Sequence, residues 1–281
     1  MKTSLDHLRS GEQTKLAAIV QLIRDAAEVE MVILYGSYAR GDHVRLDVET
    51  GYRSDFDILV VTKTQNLAEK LELWSDVEAR AEALPGMPEV SLIAHDIAFV
   101  RKKIENGAYF FNDIRNEGVL LFDSGHHKLP AARFPTGAAR KQQAEEDFDE
   151  WMETADQFMR GYEFHLGDGA PKLAAFNLHQ ATERYYAALL LVFTAYKPRI
   201  HNIEKLGKQA SDLAPALRDV FPRGTPENDA LFKKLKDAYV DARYKKSYRI
   251  DEAELGRLAG YVRKLRESVE GLCREKMATL G

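Results

Sequence analysis

The sequence predicts an α+β protein, in which an N-terminal α/β domain with a small mixed sheet is followed by an all-α helical bundle. Three observations support this class. Residues 1–122 alternate between strand and helix patterns, residues 123–140 are rich in Gly, Pro and small side chains without periodicity, and residues 141–281 carry only helical periodicity. We therefore expect two domains, 1–122 and 141–281, connected by a linker at 123–140.

In the N-terminal half, helical or alternating spacing of apolar residues separates the helices from the strands. Helical patterns cover 12–28, 66–84 and 95–107, and strand patterns cover 31–36, 56–62, 89–94 and 118–123. In the C-terminal half, helical patterns cover 146–166, 170–196, 201–213, 226–248 and 251–277. The last of these has one apolar stripe suited to a helical bundle, formed by Leu255, Leu258, Val262, Leu265, Val269 and Leu272.

The composition narrows the class of protein further. With 281 residues, 45% of them hydrophobic, the chain can bury a core, and 40 basic against 44 acidic residues give a net charge of −4. This balance gives no general preference for nucleic acid, which is therefore not an expected partner. Cys273 is the only cysteine, the charged N-terminal segment lacks the apolar core of a secretory signal, and the longest apolar run, 187–196, is too short to span a bilayer. We expect a cytoplasmic protein without a membrane partner.

Two carboxylates interrupt the second strand pattern. Asp55 and Asp57 are two residues apart, so on a strand they share a face, where paired oxygen ligands suit Mg²⁺. The turn Gly36-Ser37 ends the preceding strand, and its backbone N–H groups and hydroxyl can hold phosphate oxygens. Arg40, one turn later, is either a phosphate clamp or a surface residue. Together these residues indicate phosphoryl or nucleotidyl transfer; the alternative is a solvated edge strand beside an ordinary turn.

The carboxylate pair alone has little specificity, because the tripeptide Asp-Phe-Asp also occurs at 147–149. There it lies inside a helical pattern, where residues two apart point to different faces. We interpret this second copy as an exposed helix surface. The first copy carries the signal because it lies in a strand that follows a Gly-Ser turn.

The combination of "GSYARG" and "SDFDILVV" resembles the Gly-Ser … Asp-x-Asp motif of the DNA polymerase beta-like nucleotidyltransferases. It is most similar to the minimal type that includes aminoglycoside nucleotidyltransferases and the antitoxins paired with HEPN toxins. The helical half is similar to HEPN domains through "FNLHQATERYYAALLLVF", "HNIEKL" and "DARY". A nucleotidyltransferase followed by a HEPN domain is a known arrangement, so the two resemblances support each other.

The resemblance implies that Asp55 and Asp57 bind Mg²⁺ and that Gly36 and Ser37 hold the triphosphate of a nucleoside triphosphate. An NMP, for which we expect AMP, would pass to a hydroxyl on a small molecule or protein. Family members usually supply a third carboxylate, which would allow two Mg²⁺ ions, and Glu89 is the candidate, since it shares the strand face of Ser91. Without a third carboxylate, the alternative is a catalytically weak nucleotide-binding regulatory or toxin–antitoxin-like module.

Two departures from the family pattern refine this interpretation. Residues 42–53 are more than a minimal member needs, and their alternating pattern predicts a hairpin insertion for acceptor recognition. Active HEPN ribonucleases carry an Arg followed four to six residues later by a His, and no such pair occurs here. We expect a non-nucleolytic HEPN domain that binds a substrate and forms a homodimer.

Several polar residues of the helical half remain candidates for substrate or acceptor contacts. His179, Glu183 and Tyr186 share one helix face, which either lines a cleft or carries a surface ion pair with packing aromatics. His201 is either a ligand contact or a capping or packing residue. Arg243 and Tyr244 belong to a basic-aromatic segment that either binds phosphates or complements a helix dipole. The pair at 126–127, His-His, is interpreted as loop.

Overall fold

The computed structural model describes residues 1–45 and 53–280. The α+β class is confirmed, because a small mixed sheet lies in the N-terminal part and the C-terminal part is helical. The chain divides into two compact units, Met1–Pro135 and Thr136–Gly281. The first helix of the second unit begins at Gly137, inside the segment that the sequence indicates as a linker.

The N-terminal unit combines four strands, among the described residues, with short helices. Its elements in chain order are α1 (Ser10–Ala26), β1 (Val29–Tyr35), α2 (Gly36–Arg40), β2 (Phe56–Thr62), α3 (Gln65–Ala68), α4 (Leu71–Glu82), β3 (Val90–Asp96), α5 (Ile97–Glu105), α6 (Tyr109–Glu117) and β4 (Val119–Asp123). The sheet order is β3-β2-β1-β4. β1 pairs antiparallel with β2 and β4, whereas β2 pairs parallel with β3.

Helices cover both faces of this sheet. α1 and α4 pack on one face, where Leu16 and Trp74 join the strand residues Val32 and Ile58 in one buried cluster. Residues of the opposite parity, such as Ile33, are also fully buried, and α5 and α6 contact β2 and β1. Strands buried on both faces have nearly continuous apolar sequences, which is why polar residues at the start of β2 are conspicuous.

Two helical details differ from the sequence prediction. The single helix predicted for 66–84 is two helices, α3 and α4, and the indole nitrogen of Trp74 donates to the carbonyl of Leu67 across the break, at 3.1 Å. α6 was not predicted. Its Asn112 is fully buried and exchanges two hydrogen bonds with the backbone of Arg133, so a core position carries a polar residue and obscures the periodicity.

The C-terminal unit is a helical bundle centred on α8. Its elements are α7 (Gly137–Gly167), α8 (Pro171–Thr194), α9 (Ile203–Leu213), a 3₁₀ turn (Pro215–Leu217), α10 (Pro226–Asp237), α11 (Asp241–Tyr244) and α12 (Glu252–Ala278). α8 is buried around most of its circumference and is packed against α7, α9 and α12. No described helix is long and apolar enough to cross a membrane.

The predicted stripe of α12 faces this core. Leu255, Leu258, Val262, Leu265 and Val269 are buried, and Leu272 is partly buried against the same cluster. Cys273 is fully buried on this helix, and burial raises the pKa of its thiol to about 12. The second Asp-Phe-Asp copy lies in α7, with Phe148 buried and Asp149 exposed, as expected for a helix.

Candidate functional site

The two aspartates lie where β2 begins. Asp57 is the second residue of β2 and pairs with Tyr35, the last residue of β1, on one side and with Ser91 of β3 on the other. Asp55 directly precedes β2 and is buried, whereas Asp57 is half-buried. The sheet therefore fixes the backbone of Asp57 from both sides, and Asp55 lies just outside the ladder.

Gly36 determines how closely the turn approaches Asp57. Its φ is +71°, a conformation that favours glycine, and it directly follows β1. A Cβ atom at this position would lie 2.3 Å from Oδ2 of Asp57, closer than atoms can pack. The absence of a side chain thus leaves room for the aspartate carboxylate beside the backbone of the turn.

The turn continues into α2, which is only five residues long. A helix of this length contributes little dipole, so phosphate binding here would depend on individual N–H groups and on the Ser37 hydroxyl. Arg40, at the end of α2, is half-exposed, and its Nε donates to Oδ2 of Asp42 at 3.0 Å. It is the partner of a surface carboxylate in this structure, so both interpretations of Arg40 stay open.

A reciprocal pair of hydrogen bonds fastens the chain on either side of the predicted insertion. The backbone N–H of Val44 donates to the Ser54 hydroxyl at 2.9 Å, and the N–H of Ser54 donates to the Val44 carbonyl at 2.8 Å. The predicted hairpin at 42–53 lies mostly outside the described residues, which omit 46–52. Just before it, the buried ring of His43 stacks on Tyr38 at 3.9 Å, and burial lowers the pKa of this histidine against the opposing charge of Glu12.

The neighbouring strand bears on the predicted third carboxylate. Ser91 is aligned with Asp57 in the parallel pair, and Glu89 precedes β3 by one residue and is exposed. The Glu89 carbonyl accepts a hydrogen bond from the N–H of Phe56 at 2.9 Å. The backbone of Glu89 is therefore beside the start of β2.

A further acidic residue of this unit has an unusual pKa. Asp113 lies on the outer side of α6, which packs against α2. Burial by the surrounding protein and the nearby charge of Glu117 raise the pKa of the Asp113 carboxyl to about 6, although Arg40 acts in the opposite direction. Nothing in the sequence pattern indicated this residue.

The helical unit gathers the polar candidates of α8 around one buried carboxylate. We call His179, Glu183, Lys197 and His201 the Glu183 cluster. Nδ1 of His201 donates to Oε2 of Glu183 at 3.0 Å, and Nζ of Lys197 lies 3.3 Å from Oε1. His179 is fully buried, and its Nδ1 must carry the proton because it faces the Leu235 carbonyl at 3.0 Å. Both His179 and Glu183 are buried, which excludes the surface ion pair considered from the sequence.

A column of planar groups extends outward from this cluster. The ring of His201 stacks on Tyr239 at 4.3 Å, and the guanidinium carbon of Arg243 lies 4.6 Å from the Tyr239 ring centre. The same guanidinium lies 5.0 Å from the ring centre of Tyr244, which is 73% exposed. The structure therefore brings the five candidates of this half together around Tyr239. Tyr186 is separate, since it is buried in the core against Gly207 of α9.

Comparison with known families explains both units. Residues 17–127 match the family model described as polymerase beta, nucleotidyltransferase, and residues 148–272 match the model of the HEPN domain. The chain is a nucleotidyltransferase domain fused to a HEPN domain. No curated protein matched the sequence.

The carboxylates of the nucleotidyltransferase domain fit the cation that its family uses. Mg²⁺ binds through one or two carboxylates and completes its shell with phosphate oxygens and water, and a glycine beside Asp57 leaves space for such ligands. Among residues 1–45 and 53–280, no three acidic, histidine or cysteine side chains are grouped closely enough to hold a metal ion. Asp55 and Asp57 are therefore the candidate ligands, and a nucleotide would supply the remaining oxygens.

Sequence reasoning missed several contacts of the HEPN domain and the linker. Asn202 caps α9 through its side chain, a function considered for His201, and the spacing Asn-x-x directly before a helical pattern could have indicated it. Tyr239, the centre of the column, carries no local signal. In the linker, the pair at 126–127 lies against the buried Glu30, with Nδ1 of His126 at 3.2 Å from Oε2 of that carboxylate.

Proposed function

We propose that the protein is a Mg²⁺-dependent nucleotidyltransferase that moves an NMP, with AMP the expected one, from a nucleoside triphosphate to a hydroxyl acceptor. The acceptor is a small molecule or a protein. The observation that carries the proposal is the contact of Gly36 with Asp57. A carboxylate held on a strand, against a turn that only glycine permits, leaves an opening of the kind a phosphate and a cation need.

Each residue of the turn has a separate task in this proposal. Asp55 and Asp57 hold the cation, and Ser37 and the backbone N–H groups after Gly36 donate to triphosphate oxygens. Arg40 would add a charge-assisted contact once it releases Asp42. The acceptor oxygen forms a bond to the α-phosphorus as the bond to pyrophosphate breaks, and bound Mg²⁺ supplies neutralisation of the phosphate charge.

For the HEPN domain we propose a non-nucleolytic binding function. The exposed ring of Tyr244 and the outward guanidinium of Arg243 suit a ligand with a planar ring and an anionic group. We further propose that the chain is cytoplasmic and forms a homodimer through this domain, covering exposed apolar side chains such as Phe164 and Val240. Light scattering of the purified chain and of a Phe164→Ser variant tests the dimer.

One observation favours a second candidate function. Ser91, not a carboxylate, is aligned with Asp57 on β3, and Glu89 precedes that strand. An enzyme that lacks a general base near the acceptor loses a large part of its rate. The second candidate is a nucleotide-binding regulatory or toxin–antitoxin-like module that retains the cation site and turns over weakly.

The deciding experiment compares wild type, the double variant Asp55→Asn/Asp57→Asn, and Asp149→Asn as a matched control from the exposed second copy of the tripeptide. Each is incubated with α-labelled ATP, CTP, GTP or UTP, Mg²⁺ and cell lysate as an acceptor source. Label transfer with pyrophosphate release in wild type and the control, but not in the double variant, supports the enzyme and names its base. Metal-dependent nucleotide binding without transfer supports the regulatory module, and absence of both removes the proposal.

A further inference from the structure

The HEPN domain contains a groove that none of the preceding functions uses. α7 and α12 both pack on α8 but make few contacts with each other, which leaves a space of about 350 Å³ between them. Its apolar lining comes from Met159 of α7 and the buried Tyr185 of α8. This volume lies within the range of small-molecule sites.

Two ion pairs hold the sides of this groove. The guanidinium of Arg266 binds both oxygens of Asp156, at 2.7 and 2.9 Å, and the Tyr185 hydroxyl donates to the same carboxylate at 2.6 Å. Burial alone would raise the pKa of Asp156, but Arg266 and Tyr185 bring it below its ordinary value. Arg263 and Glu163 form the second pair at 3.2 Å, and both are largely exposed. These four charges are already compensated.

One positive and one negative side chain of the lining remain. Arg160 lies on α7, and Glu267 lies on α12. Arg160 is close enough to Asp156 to lower the pKa of that carboxyl, yet no described carboxylate lies within ion-pair distance of it. Glu267 likewise forms no ion pair with a described cation. The groove therefore presents one uncompensated charge of each sign.

We propose that this groove binds a small zwitterion, of the class of free α-amino acids with an apolar side chain. The carboxylate of the ligand would pair with Arg160, its ammonium with Glu267, and its side chain would contact Met159 and the Tyr185 ring. A phosphate or other simple anion would meet the charge of Glu267 and two further carboxylates. A simple cation would meet Arg160. Only a ligand that carries both charges compensates both residues.

The test uses three ligands that differ only in charge: L-leucine, N-acetyl-L-leucine, which lacks the ammonium, and L-leucinamide, which lacks the carboxylate. Each is titrated into the ¹⁵N-labelled full chain, and arginine Nε–H and backbone resonances are followed. For an open groove we expect leucine to saturate with a dissociation constant of about 1 mM. Shifts should centre on α7 and α12, and the two analogues should bind at least about fivefold more weakly, because each loses one charge-assisted contact.

Two variants locate the contacts. Arg160→Gln and Glu267→Gln should each weaken leucine binding about tenfold, since each removes one charged partner from an exposed position that the fold does not need. Arg101→Gln and Glu275→Gln, which are exposed elsewhere, should leave it unchanged. Equal binding of N-acetyl-L-leucine would show a simple anion site, and equal binding of leucinamide a simple cation site. Either result overturns the proposal, as does an absence of saturation up to about 50 mM, which is weaker than a paired contact allows, or binding that neither variant affects.

Discussion

The two polar centres of this protein are bounded in opposite ways. Beside Asp57 the chain places a glycine, so the carboxylate is next to a gap where a side chain would otherwise stand. Around Glu183 it places Lys197, His201 and His179, which fill the space and compensate the charge. The first arrangement leaves room for something that binds, whereas the second is closed on itself. We expect substitutions at the first to change chemistry and substitutions at the second to change stability.

The largest effect is expected for Asp57→Asn. This change keeps the shape of the side chain but removes the charge that would hold the cation, so transfer should fall by at least about 10³-fold. The free energy of unfolding should stay within about 1 kcal/mol of wild type, because a surface-edge charge near another carboxylate adds little to stability. Label transfer and guanidinium unfolding measure the two quantities. A large loss of stability would place Asp57 with the structural residues and break the comparison.

Glu183→Ala should show the reverse behaviour. Removing the carboxylate leaves His201 and Lys197 without their partner in a buried setting, which should lower the free energy of unfolding of the HEPN domain by about 3 kcal/mol. Trp151, which has Lys197 5.2 Å from its ring centre, gives a fluorescence signal for this unfolding. Glu150→Ala, an exposed change on α7, is the control. If nucleotidyl transfer falls as well while the chain remains folded, the two domains act together in the reaction.

Gly36→Ala separates backbone strain from the contact with Asp57. The new methyl group would push the carboxylate away, and a displacement of about 1 Å should reduce transfer by about 10²-fold. The positive φ adds a loss of stability of about 1–2 kcal/mol. Gly125→Ala is the matched control, because Gly125 also has a positive φ, of +80°, but nothing lies within 4 Å of its added Cβ. Equal loss of activity in both variants would show that Gly36 matters through strain alone.

The smallest effect concerns pH. The pKa of Asp113 is raised to about 6 from an unfolded value of 3.8, so the folded chain binds this proton more tightly and loses stability as the pH rises through that window. Asp113→Asn removes the loss, and its advantage over wild type should grow between pH 4 and pH 7. Since the side chain is at the surface, we expect no more than about 1 kcal/mol. Urea unfolding at three pH values measures it. Glu117→Gln should reduce the same slope, and a slope unchanged by both variants would remove the assignment.

Local patterns carried most of what the sequence could predict. Alternating apolar residues around Asp55 and Asp57 defined the strand, and helical spacing placed His179 and Glu183 on one face of α8. Both depend on residues that are near in sequence. The fold class follows from the same signals, because strand and helix patterns occupy separate halves of the chain.

Contacts between distant segments could not be predicted in this way. His201 meets Glu183 across 18 residues, and its ring partner Tyr239 comes from yet another segment. α6 was missed because Asn112 satisfies its polar groups with the backbone of a loop that follows later in the chain. In each case the polar residue acquires its meaning only from the tertiary neighbour.

The buried Cys273 thiol has a practical consequence. Thiolates, not thiols, react with alkylating reagents, and burial raises the pKa of this thiol to about 12 while removing it from solvent. Since the chain has no other cysteine, any alkylation reports an opening of α12 away from the core. The rate of labelling under native conditions is thus a built-in clock for the HEPN domain, and adding candidate ligands shows directly which of them slows it.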